Sequence, residues 1–136
     1  MARYTLSKAE RLSSRKAIGK LFESGASVTA NPLRMVWLRV EEAAPEMPPA
    51  QAMFSVSKRK FPRAVDRNRI KRLIRESYRL AKPTLFEQIP SDKRYWLAFL
   101  FTGNEMPGFA VIQKSLQEAL DRWLRKINAP IRNTKA

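Results

Sequence analysis

One domain of the α+β or mixed α/β class is predicted by three observations. The chain has 136 residues of which 44% are apolar, apolar stripes recur at helical spacing in separate segments, and apolar runs at strand spacing lie between them. That length and apolar content suit a single core, since domains commonly run about 100–150 residues. The segments read helix, strands, helix, strand, helix. No internal repeat divides the chain, so residues 1–136 are read as one unit, compact from about residue 6 to residue 127, with 128–136 as a flexible tail.

Each element has a local reason. Ser13 or Ser14 can cap a first helix that carries Ile18, Leu21 and Phe22 on one stripe, with Gly25 as its stop and Gly19 weakening it. Ser27-Val28-Thr29 adds a short edge strand. From Leu33 to Val40 two apolar sets alternate, Leu33, Met35 and Trp37 against Val36, Leu38 and Val40, as in a strand with apolar surroundings on both faces. Ala52, Met53, Phe54 and Val56 form the next strand. The uninterrupted run Tyr95–Phe101 is the pattern of a buried strand, and Trp96, Phe99, Phe101 and Trp123 are assigned to the core. The final helix carries Ile112, Leu116, Leu120, Trp123, Leu124 and Ile127, closed by Asn128 and Pro130. Between the second and third strands, Glu41–Pro49 is acidic and proline-rich and reads as a surface loop.

Charge narrows the function. Lys and Arg outnumber Asp and Glu by 27 to 12, a formal charge of +15 that points to a polyanionic partner. No apolar run approaches the roughly 18 residues that span a bilayer. The first residues lack the apolar stretch of a signal peptide, so a cytoplasmic location is expected. Cysteine and histidine are both absent, which removes disulfides, thiolate nucleophiles, the usual zinc ligands and the usual general base. The carboxylates are scattered. A nuclease working without a partner is therefore disfavoured, and no catalytic residue or protein-held metal is expected in this chain.

The segment Phe61–Leu80 is the most informative. Wound as a helix, it places Ile70, Leu73, Ile74, Ser77, Leu80 and Ala81 on one side and Arg67, Asn68, Lys71, Arg72, Arg75 and Arg79 on the other, with Arg69 at the border beside Glu76. A solvated face would interleave Glu with Lys at i, i+4, whereas these cations repeat at that spacing and repel one another. Arginine forks and a helix start are both suited to phosphate. Lys58-Arg59-Lys60 extends the same field.

Ser55-Val56-Ser57-Lys58, then Ala64-Val65 and Arg67-Asn68-Arg69-Ile70-Lys71-Arg72-Leu73-Ile74-Arg75-Glu76, closely resembles the signature of the bacterial ribonuclease P protein family. Looser similarity runs from about Leu6 to Leu124, through Lys20-Leu21-Phe22-Glu23-Ser24-Gly25 and Lys114-Ser115-Leu116. The resemblance implies an α-β-β-β-α-β-α sandwich, like domain 2 of ribosomal protein S5, with a left-handed crossover around the basic helix. It implies an RNA-binding subunit that assists a catalytic RNA in removing the 5′ leader of precursor tRNA, with magnesium held mainly through the RNA and no obligate protein partner. It assigns Arg67, Asn68, Lys71, Arg72, Arg75 and Arg79 to the catalytic RNA. A cleft between the first helix and the sheet would hold the leader, with Ile18, Phe22 and Trp37 at its positions and Lys58 and Arg59 in the basic stretch nearby. By residue type alone, Phe22 and Trp37 fit ordinary core packing as well as a stacking surface. The sequence departs from the family where Ile18 replaces a frequent aromatic and where Lys60-Phe61-Pro62-Arg63 lacks a glycine. Rival readings are a ribosomal or RNA-assembly protein without a leader groove, a metal-dependent nuclease acting alone, and a helix-turn-helix DNA binder.

Overall fold

A computed structural model of the chain describes residues 6–41, 44 and 46–128. After a 3-10 turn at Lys8–Glu10 come α1 (Arg15–Ser24), β1 (Ala26–Ala30), β2 (Leu33–Arg39), β3 (Ala50–Val56), α2 (Ala64–Gln88), β4 (Tyr95–Phe101) and α3 (Phe109–Asn128). This is the expected α-β-β-β-α-β-α order in an α+β fold. Ser14 caps α1, its Oγ accepting from the Ala17 amide at 3.2 Å. At the other end, a Cβ on Gly25 would stand 2.4 Å from the Leu21 carbonyl oxygen and 2.9 Å from that of Trp37, so glycine is required by close approach.

The sheet has the order β1-β2-β4-β3. β2 pairs antiparallel with β1 and β4, whereas β3 and β4 run parallel, so α2 must cross from one end of the sheet to the other. Strand parity then separates two cores. Leu33 and Met35 of β2 and Leu97, Phe99 and Phe101 of β4 face α2 and α3, which contribute Ile70, Ile74, Tyr78, Leu116, Leu120 and Trp123. Val36 and Ala98 face α1, where Leu12, Ala17 and Leu21 cover them. α1 is short and covers only the middle of its face, leaving Ile18, Leu38, Met53, Trp96 and Leu100 half-buried around it. On the other face, Ser115 Oγ and Arg122 Nη1 donate to the carbonyls of Ala30 and Thr29, holding α3 to the edge strand β1.

The final helix carries its expected stripe inward, with Ile112, Leu116, Leu120, Trp123 and Leu124 buried. Helix α2 departs from its sequence reading. It runs through Pro83 to Gln88, and Tyr78 is fully buried while Leu80 is 39% exposed. The helix faces α3 and the sheet together, so its buried sector is wider than one stripe and is centred on Ile74, Tyr78 and Leu85. Trp96 also departs from the deep core, being half-buried on the α1 face. The expected tail lies outside the described residues apart from Asn128, and so does part of the expected acidic loop. No described helix is long and apolar enough to cross a membrane.

Candidate nucleic-acid interface

The basic helix is positioned by its entry loop. Ser57 Oγ accepts from the amides of Arg59 at 3.2 Å and Lys60 at 3.4 Å, forming a turn that leaves Lys58 and Arg59 exposed. Phe61 then plugs into the core against Phe101, ring centroids 5.8 Å apart, and Lys60 Nζ donates to the Thr102 carbonyl at 2.9 Å. This aromatic plug sets the path of the loop that lacks glycine. Arg67 Nη1 donates to the carbonyls of both Phe61 and Pro62 at 2.8 Å, so this arginine clamps the loop to the first turn of α2.

The remaining cations differ in commitment. Arg79 pairs with Glu76 one turn earlier; hydrogen bonding from the guanidinium holds the Glu76 carboxyl below its usual range, and the carboxylate raises Arg79 in return. Arg69 is exposed and makes no ion pair with Glu76. Asn68, Arg72 and Arg75 are exposed and Lys71 is half-buried, and among the described residues none of these four is engaged by an ion pair. They form the part of the helix face open to phosphate.

A second surface lies beside α1. Ala17 and Leu21 point into the sheet, so helical geometry puts Ile18 and Phe22 on one flank and Lys20 and Ser24 on the other. Lys20 and Ser24 line a cavity with Leu38 and Trp96, which identifies their end of the sheet. Ile18 and Phe22 therefore face the opposite end, toward Leu100 and Arg34, which are register partners. Leu33, Phe101 and Val56 align across that end, and the Lys58-Arg59 turn and α2 follow directly from it. Phe22 is 46% exposed and Ile18 half-buried. An apolar flank and two sources of positive charge thus share one end of the molecule.

Known proteins share this chain's sequence pattern and fold. Residues 6–124 match the family model described as Ribonuclease P. The chain belongs to the ribonuclease P protein family. The ribonuclease P protein component of Porphyromonas gingivalis strain ATCC 33277 is 37% identical over 122 residues, covering 89% of this chain and 88% of that protein. That of Chlorobium phaeobacteroides is 41% identical over 125 residues, covering 85% and 86%. The RNase P protein of Staphylococcus aureus superposes with a TM-score of 0.68 at 23% identity, over 85% of this chain and 96% of that one, and shows the shared fold.

Membership makes the chain the protein subunit of ribonuclease P, accessory to an endoribonuclease of tRNA 5′ maturation whose catalysis is carried by RNA. It implies a ribonuclease P RNA and a tRNA substrate as partners.

One assignment made from the resemblance to ribonuclease P proteins is corrected. Trp37 does not join Ile18 and Phe22, because it belongs to the opposite parity of β2 and faces α3, packing edge-on against Tyr95 at 6.0 Å and Trp123 at 6.2 Å. A shift of one residue along a strand reverses the face. Val36 occupies the α1 side instead, and Arg34, Met53 and Leu100 are further residues there that the sequence reading did not select. Strand parity carried the signal but could not say which helix covers which face. Trp37→Phe is accordingly expected to cost roughly 0.5–1.5 kcal/mol of stability, the scale of an aromatic pair. A thermal melt measures that loss, and the ratio of precursor to mature tRNA affinity should stay unchanged.

Proposed function

We propose that this subunit binds the ribonuclease P RNA through Asn68, Lys71, Arg72 and Arg75, with Arg67 and Arg79 shaping that face. We further assign the 5′ leader of precursor tRNA to the flank of Ile18 and Phe22, with Lys58 and Arg59 contacting its phosphates. The observation that carries this reading is the convergence, at one end of the sheet, of a half-covered apolar flank, an exposed basic turn and the start of a basic helix. Single-stranded leaders suit such a surface, since stacking on Phe22 accepts any base while the cations track the backbone. Magnesium belongs to the RNA in this reading, and the protein contributes affinity and position.

Cleavage of precursor tRNA by protein alone, RNA alone and both together, at low and high magnesium, tests the division of labour. Activity is expected only where the RNA is present, with the protein's benefit greatest at low magnesium. Cleavage by the protein alone would overturn it. For the leader, Phe22→Ala is expected to weaken precursor tRNA by about 1–3 kcal/mol, one base stack, and to leave mature tRNA unchanged. Equal weakening of both would return Phe22 to a structural role.

A further inference from the structure

Helix α1 divides its face of the sheet into two flanks, and the leader reading uses only one. The other holds a cavity of about 500 Å³ lined by Lys20 and Ser24 of α1, Leu38 and Arg39 at the end of β2, Glu41 beyond it, and Trp96 of β4. That volume is within the range of small-ligand sites, about 300–1,000 Å³. Its aromatic member is unusual in this chain. Trp37 and Trp123 are packed edge-on around Tyr95 on the opposite face, with their indole N–H groups buried. Trp96 is half-buried at the edge of the smaller core, where it borders the cavity beside its register partner Leu38.

We propose that this cavity is a subsite for one nucleotide of a single-stranded RNA, separate from the Ile18–Phe22 flank. The chemistry is complementary part by part. The indole and Leu38 offer an apolar surface to a base, Lys20 offers a cation to the adjoining phosphodiester, and the Glu41 carboxylate and Ser24 hydroxyl offer acceptors to exocyclic amino groups. A carboxylate in the lining disfavours a polyphosphate, so a single phosphodiester in a strand fits better than a free nucleoside triphosphate. The site needs no leader on the other flank and stands or falls separately from that assignment.

Trp96 supplies the readout. Adding a short oligoadenylate to the full chain is expected to quench tryptophan fluorescence, and Trp96→Phe, shown to be folded by its melt, should remove most of that quenching. Lys20→Ala should raise the half-saturating concentration about five- to tenfold, one charge-assisted contact. Lys114→Ala on α3, which removes the same charge elsewhere, should shift it less than twofold. Quenching that persists in Trp96→Phe, or a Lys20→Ala shift no larger than that of Lys114→Ala, would overturn the subsite. So would adenosine monophosphate matching the oligomer at equal nucleotide concentration, which would make the ligand a free nucleotide.

Discussion

Lys82→Ala is expected to destabilise the fold by about 3–5 kcal/mol, the cost of leaving one member of a buried ion pair without its partner. Lys82 lies in the inward sector of α2 with a side chain only 7% exposed, and its Nζ meets Glu10 Oε1 at 2.8 Å. Glu10 is brought there by the 3-10 turn, where its carboxylate also accepts from the Ser7 amide at 2.8 Å. Burial pushes the Glu10 carboxyl up, but the hydrogen bonds from Lys82 and Ser7 outweigh it, and the net shift is downward. Tyr78, fully buried nearby, is pushed up by its burial and then by the Glu10 charge.

The pH dependence follows from the direction of the Glu10 shift. A carboxyl lowered by folding stabilises the native state above its unfolded value, about 4.3, and that contribution is lost as pH falls through the lower folded value. Denaturant unfolding near neutral pH should show the full deficit of Lys82→Ala, narrowing below about pH 4 as the wild type loses the same pair. For a chain of this size 3 kcal/mol corresponds to roughly 10 °C in melting temperature. Replacing both partners, Lys82→Met with Glu10→Leu, should recover most of the loss because no charge is left buried. A deficit under 1 kcal/mol, or one independent of pH, would mean that the pair does not organise this junction.

The second large effect is on RNA binding. Replacing Lys71, Arg72 and Arg75 together with alanine is expected to weaken the ribonuclease P RNA by a hundredfold or more, roughly 3 kcal/mol at about 1 kcal/mol per contact. The slope of log affinity against log salt should fall by about 2 to 3, at roughly 0.7–0.9 for each neutralised phosphate. Arg67→Ala should behave differently, since its guanidinium is spent on the Phe61 and Pro62 carbonyls. Its loss should loosen the entry loop and appear first in the melt. Filter binding or anisotropy across a salt series separates the two. A triple variant with an unchanged slope, folded by circular dichroism, would remove this face from the RNA contact.

Much of this was legible along the chain because it depends on local spacing. The basic stripe of α2 shows in the i, i+4 recurrence of its cations, the three helices in their apolar stripes, and the two faces of β2 in the alternation of Leu33, Met35 and Trp37 with Val36 and Leu38. The family motif from Ser55 to Glu76 put the proposed interface on those elements. Tertiary structure decided what lies across from each face. Alternation separates Trp37 from Val36 but is silent on whether α1 or α3 covers either, since that depends on sheet order and on the crossover through α2. It also decided which cations are spent within the fold, and it joined Lys82 to a glutamate 72 residues earlier. Such pairings are non-local. Burial selects them only after the helices have docked, and neither residue carries a mark of its partner in the segment around it.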